Sequence, residues 1–309
     1  MTLNPSAEEV LLRLESAGFR GRIVSAGRLR DLREEFEDRR REFGFDPALF
    51  RDYLSSFNFA PPAKPPRIKS MIIVAAPQPR ASVVFHWRGE SVPLDIPPTY
   101  LHRSDDAAET VLLNALRPAG YGLTRGRVPE KMLAVRSGLA RYGRNNVSYV
   151  PELGSFHRPA VFFSDYPYAE DVWDEERVLD RCGSCNACSR ACPTGAIPGD
   201  RFLIHAERCL TFLNERPGEF PDWIDPSWHN CLIGCMRCQE ACPENRSVYG
   251  RVEMMAEFNE EETGLLLEGG AADGRVSAET RRKLIDLDMA EYKDVLGRNL
   301  SALLRKQKS

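Results

Sequence analysis

The chain has nine cysteines, Cys182, Cys185, Cys188, Cys192, Cys209, Cys231, Cys235, Cys238 and Cys242, and all fall between Arg181 and Pro243. Thiols crowded into one stretch point to metal or redox chemistry where the compartment is reducing. The first four follow Cys-x2-Cys-x2-Cys-x3-Cys-Pro, the bacterial ferredoxin spacing. Three cysteines three residues apart can wrap one [4Fe-4S] cube. The fourth, turned away by Pro193, belongs to a neighbouring cube. A structural zinc site would want two Cys-x2-Cys pairs separated by a longer loop.

The second half is less regular. Cys235-x2-Cys238-x3-Cys242-Pro243 repeats the last three positions of the pattern, and Leu232 stands where the missing cysteine belongs. Cys231 is one residue early, and Cys209 lies 26 residues before Cys235. Two cubes take eight thiolates. The crossed arrangement assigns Cys182, Cys185, Cys188 and Cys242 to one cluster. Cys192, Cys235 and Cys238 then bind the other, with Cys209 or Cys231 as its last ligand. Spacing alone leaves that choice open.

The elements that must position these thiols read in order. A chain of 309 residues is long enough for two cores. The expected division is an N-terminal helical segment (1–66), an α/β cofactor-binding domain (67–176), a ferredoxin-like double-cluster domain (177–249) and a helical tail packing on the core (250–309). Residues 1–60 read as helical, with Ser6 and Glu9 as a capping box and Asp31 to Phe43 as a charged helix. Ala60 to Arg67, APPAKPPR, is a stiff connector. MIIVAA suits a buried central strand, and Ala81 to Leu94 a hairpin turning at Arg88-Gly89-Glu90. Helices are expected over Ser104–Leu116 and Val128–Leu139, and strands over Val147–Val150 and Ala160–Phe163. Such alternation indicates an α/β layer. Val252–Leu267 and Ala278–Leu287 read as amphipathic helices, and Asp288 with Glu291 as the cap of a last helix ending near Leu304.

A net charge of −3 carries no global signal for nucleic acid or membrane. No apolar run reaches ~18 residues, so no membrane partner is expected. The first residues lack a basic and then apolar leader, so the expected location is cytoplasmic. Charge is uneven locally. Arg117 to Arg144 carries seven bases against Glu130, and Asp165 to Asp180 seven acids against Arg177. Arginines among glycine turns (GYGLTRGR, RYGRNN) suit a phosphate or a polar cofactor edge.

With SGLARYGRNNVSYVPELGSF and FFSDYPY before CGSCNACSRACPTGAI, the chain from about Ile68 to Asn245 resembles the epoxyqueuosine reductases, relatives of the reductive dehalogenases. The resemblance implies an α+β protein: a corrinoid-binding, nitroreductase-like α/β domain, a ferredoxin-like double [4Fe-4S] domain and a short helical tail. It implies an oxidoreductase with two [4Fe-4S] clusters and base-off cobalamin held without a protein histidine. Electrons would come from an external ferredoxin- or flavodoxin-type donor and pass through both clusters to cobalt. It implies cofactor contacts at Gly138, Arg141, Gly143, Arg144, Asn145, Gly154, Ser155 and Thr211. It also favours Cys209 over Cys231 as the eighth ligand.

Two departures bear on the substrate. The family's proton-donating aspartate precedes a Leu-Glu-Lys helix start. Here the start is Pro129-Glu130-Lys131, preceded by Leu123-Thr124-Arg125-Gly126-Arg127, with Thr124 nearest the acid's place. A tyrosine donor helped by an arginine, as in the dehalogenases, is the alternative. Tyr142 with Arg125 and Arg127 is the favoured set, ahead of Tyr100 and Tyr121. The family's C-terminal repeat domain, which helps grip tRNA, has about 60 residues in its place. The expected substrate is therefore small or nucleoside-like and different from the family's, with tRNA a weaker expectation. The alternative is a protein that delivers electrons from its clusters to a partner's cofactor. A third reading, a flavin in the same α/β layer, rests on the likeness of such folds to nitroreductases; Gly120-x-Gly122-x3-Gly126 is only a near miss to a dinucleotide fingerprint.

Overall fold

The apolar run Ser70–Pro77 forms strand β2, the centre of one of two compact units. The computed structural model describes residues 4–168, 170 and 172–306. The outer ends of segments 1–66 and 250–309 lie outside the described residues. The chain divides into Met1–Gln78 with His102–Cys185, and Pro79–Leu101 with Asn186–Ser309.

In the first unit, β2 lies antiparallel between β1 (Arg20–Ser25) and β8 (His157–Ser164), and β5 (Leu123–Arg125) adds to β8. Seven of the eight residues of β2 are buried, because both of its faces are covered. Ile72, Val74 and Ala76 pack with Val10 and Leu14 of α1 (Ala7–Ser16) and Leu112 and Leu116 of α4 (Arg103–Leu116). The Ser6–Glu9 capping box forms as expected. Helices α2 (Arg28–Phe43) and α3 (Pro47–Asp52) precede the proline run. Helix α5 (Glu130–Arg136) packs on β2 and β8, and leads into the short pair β6 (Arg141–Tyr142) and β7 (Ser148–Tyr149).

The expectation of helix throughout 1–60 is corrected by β1. Its sequence, RGRIVS, hides the strand period behind two arginines, and Gly21 is tight because a Cβ there would stand 2.8 Å from Leu14 Cδ1. The proline run joins two parts of one unit, and Pro65 packs over Gly122, where a Cβ would lie 2.7 Å away.

The hairpin, β3 (Arg80–Trp87) and β4 (Glu90–Ile96), turns on Arg88 and Gly89, both at positive φ. It was expected within the α/β layer but belongs to the second unit, where β3 pairs in parallel with β9 (Val252–Phe258). Strand β9 also corrects the expected helix over Val252–Leu267. The open edge of β3 takes up Val252–Phe258, and Phe258 stacks on Phe85 with centroids 4.9 Å apart. Helix α9 (Glu260–Leu267) begins only at the Asn259–Glu262 capping box.

Short helices α6 (Ala187–Ala191), α7 (Leu210–Glu215) and α8 (Arg237–Glu240) carry the thiol segment. Then α10 (Gly270–Asp273), α11 (Ala278–Asp286) and α12 (Lys293–Lys306) close a core of Val83, Phe85, Ile96, Leu266, Leu284, Leu296 and Leu300. The expected Asp288 cap does not form. Asp288 sits at φ 55 in the turn that ends α11, and α12 starts at Lys293. Among the described residues no helix is long and apolar enough to cross a membrane.

Candidate iron–sulfur centre and the arginine-rich turn

None of the nine thiols is in a disulfide. Cys182 lies in the single turn Asp180–Gly183, and Cys185 ends the first unit. In the second unit, Cys188 is on α6, Cys238 on α8, and Cys192 and Cys242 sit just before Pro193 and Pro243. Among the described residues no three His, Cys, Asp or Glu side chains converge as a single metal ion would require. Thiolates that each bind a different iron of a cube need no such convergence.

Cys209 stands at the N-cap position of α7 without a side-chain cap hydrogen bond, and the amides of Thr211 and Phe212 and the Thr211 hydroxyl are its nearby donors. Burial pushes its thiol up, these donors pull it down, and the neighbouring Cys192 adds to the rise. Burial pushes Cys235 up to about 12, with Cys209 and Cys192 as its thiol neighbours. Cys209 thus shares its surroundings with Cys192 and Cys235. Cys231 is 1% exposed and, in addition to Cys235, faces Asp95 and Glu240. Burial first and then those neighbours push its thiol far up. Its backbone bridges to Asp95, and Leu232 donates to the Asp95 carbonyl at 2.8 Å.

The residues singled out by resemblance between Gly138 and Ser155 fall on the β6–β7 turn and the turns on either side of it. Gly143 donates to Val147 O at 2.8 Å, closing the β6–β7 turn. A Cβ on Gly143 would stand 2.5 Å from both Asn145 Oδ1 and the Tyr149 ring. Asn145 is 3% exposed; it donates to Tyr149 Oη at 3.0 Å and accepts from Val147 N. Gly154 (φ 56) and the buried Ser155 form the turn into β8, and Gly154 O meets His157 Nδ1 at 3.1 Å. Burial lowers His157 to about 4, so the ring is neutral at physiological pH. Gly138 (φ 72) lies against Asp174 Oδ2.

The arginines divide. Arg141 pairs with Asp180 at 2.9 Å and Arg136 with Glu35 at 2.6 Å, so part of the basic run is answered by acids of the same unit. Arg144 donates instead to main-chain oxygens, from Nε to Cys185 O at 3.1 Å and from Nη2 to Cys182 O. Thr211 lies in the first turn of α7, beside Cys209.

The set Tyr142, Arg125 and Arg127 is not drawn together by these contacts. Arg125 is exposed and tied to Asp106 and Glu109 of α4. Arg127 is exposed, and its carbonyl accepts from Asn58. Tyr142 is buried near Arg39, Glu35 and Arg136, and burial drives its hydroxyl well above its ordinary value. Tyr100, in the second unit, is buried and donates to Glu215. Two of the near-miss glycines are packing positions: a side chain on Gly126 would strike the Phe163 ring, and Gly122 lies under Pro65, whereas Gly120 is a turn residue at φ 85 with open space around it.

One acid escaped the sequence reading. Glu130, in the first turn of α5, is pushed up to about 7 by burial, with Asp105 raising it further and Arg158, Arg127 and Lys131 opposing. Asp105 and Arg158 satisfy each other by a two-pronged pair at 2.8 and 3.0 Å. Glu130 lies inside the helix start Pro129-Glu130-Lys131, not before it.

Residues 181–245 match the family model of the 4Fe-4S double cluster binding domain. The chain is therefore an iron–sulfur protein with paired cubane sites. It is 37% identical over 123 residues to epoxyqueuosine reductase of Bacillus subtilis (strain 168), covering 39% of this chain and 30% of that protein. It is 36% identical over 118 residues to the same-named protein of Escherichia coli (strain K12), covering 38% and 30%. The matched stretch thus spans under a third of these relatives. A solved structure of selenomethionine-labelled epoxyqueuosine reductase superposes with a TM-score of 0.65 at 22% identity, over 97% of this chain and 81% of that one. The fold is the one seen in epoxyqueuosine reductases. Another such structure, with a modified tRNA-Tyr stem loop bound, gives a TM-score of 0.62 at 22% identity, over 97% and 81%.

Proposed function

We propose that the chain is a two-cluster reductase of the epoxyqueuosine reductase type, fed by an external ferredoxin- or flavodoxin-type donor. The observation that carries this reading is the double-cluster match at 181–245 in a chain that also has 37% identity to such a reductase. Cys182, Cys185, Cys188 and Cys242 hold one cluster. Cys192, Cys209, Cys235 and Cys238 hold the other. Cys209 is preferred to Cys231 because amide and hydroxyl donors already face its sulfur, and such donors stabilise thiolate.

Cobalamin is the second cofactor in this proposal, and when bound it would supply the low-potential centre for reductive removal of an oxygen or other leaving group. Arg141, Arg144, Asn145 and Thr211 have internal partners, so the Gly138–Ser155 region would meet a corrinoid through main-chain groups. None of the histidines described here is needed as its ligand. Glu130 is the proposed proton reservoir, because a carboxyl with a pKa of about 7 holds and releases a proton near neutrality. The substrate class is nucleoside-like, whether free or within tRNA.

Thr124 in place of an acid favours the competing reading, a carrier that passes electrons to a partner's cofactor. Anaerobically reconstituted protein with about eight irons, titrated with cobalamin, separates the two. A shifted corrinoid visible spectrum is expected. An unperturbed spectrum at full iron content leaves the carrier.

A further inference from the structure

We propose that Arg144 is a positioning residue for the cluster bound by Cys182 and Cys185, and that its positive charge raises that cluster's reduction potential. The inference rests on the two-cluster reading. The guanidinium reaches back from the β6–β7 turn to the loop that holds the first two ligands. It donates from Nε to Cys185 O at 3.1 Å and from Nη2 to Cys182 O. A planar fork across two ligand carbonyls holds the spacing between those cysteines, because guanidinium donors are fixed relative to one another.

The charge is the second half of the inference. Arg125, Arg136 and Arg141, from the same basic run, each pair with a carboxylate. Arg144 pairs with none among the described residues, and it is half-buried. Its charge is thus neither cancelled by an acid nor fully screened by water. One-electron reduction by an external low-potential donor adds one negative charge to a cube. A fixed cation beside the ligand loop stabilises the reduced state more than the oxidised one, so the potential rises. Charge and hydrogen bonding near the sulfurs are the protein's means of setting such potentials.

The test uses anaerobically reconstituted full-length protein without cobalamin, titrated with dithionite and followed by spin resonance, with iron determined in parallel. In Arg144→Gln one of the two cluster transitions is expected to fall by a tenfold change in its one-electron equilibrium, about 59 mV. The other transition should stay, with iron still near eight per chain. Arg144→Lys, which keeps the charge and loses the fork, should restore most of the potential. Unchanged potentials in Arg144→Gln overturn the proposal. So does an Arg144→Lys potential as low as that of Arg144→Gln, and so does loss of four irons in both variants, which leaves a structural clamp alone. A wild type that fails to take up two clusters sinks the underlying two-cluster reading instead, and is seen before any variant is made.

Discussion

Cys209 and Cys231 both precede the same Cys-x2-Cys-x3-Cys-Pro run, Cys231 buried and Cys209 half-buried, and their surroundings have opposite character. Cys209 stands at the N-cap position of a helix, near two amides and a hydroxyl that pull its thiol down. Cys231 meets Asp95 and Glu240, with one amide, that of Met236, on its sulfur. A thiolate ligand carries negative charge, and donors stabilise it while nearby acids oppose it. Where spacing is ambiguous, the groups around each sulfur are what favour Cys209 as the proposed ligand. Cys231 reads instead as a small buried apolar residue whose neighbours Leu232 and Ile233 belong to the same core.

The strongest way to break the comparison is to exchange the roles. Cys209→Ser should lose one cluster, four of about eight irons, whereas Cys231→Ser should keep all of them; iron analysis after anaerobic reconstitution checks both. If Cys231→Ser loses four irons, the donor argument fails.

Glu130 carries the same contrast into the other unit, as a half-buried acid whose charge is opposed. Its folded value of about 7 lies above the ordinary 4.5, so the folded protein holds a proton that the unfolded chain releases. The stabilisation is complete below about pH 4.5 and is lost as pH rises through 7. Wild type should therefore lose on the order of 2 kcal/mol across that window, and Glu130→Gln should not. Urea midpoints at pH 5 and 8 measure the difference. If Glu130 is the proton reservoir, the same variant loses turnover while keeping iron.

A finer probe of the donor set is Thr211→Val, which removes the hydroxyl but leaves the two amides. Iron should stay near eight, and one cluster's potential should fall by no more than about 59 mV. The smallest effect is expected for Arg125→Gln. An exposed ion pair with Asp106 and Glu109 contributes ~0.2–1 kcal/mol, and turnover should be near that of wild type. A large drop in turnover would return Arg125 to the reacting centre.

How much was legible in the sequence follows from the range of the forces involved. The first four ligands follow from local spacing, and β2, α4, α11 and the hairpin from local period and punctuation. Strand β9 did not, because Val252–Phe258 becomes a strand only by pairing with β3, far away in the chain. Its sole local clue was the capping box at Asn259 and Glu262, which marks where helix can begin. Strand β1 was hidden by Arg20 and Arg22. The candidate set Arg125, Arg127 and Tyr142 came from residue type. Which carboxylates Arg125 would meet, and how deeply Tyr142 would be buried, are tertiary facts. Glu130 could have been found by asking which acid sits alone in a basic run.

The parallel pairing of β3 with β9 also sets a timetable for synthesis. Strand β3 ends at Trp87 and its partner begins at Val252. At ~5–20 residues per second, the free edge of the hairpin waits roughly 8–30 s for its third strand. All nine thiols are translated inside that interval. The nascent chain thus carries every thiol before the third strand of that sheet has been made.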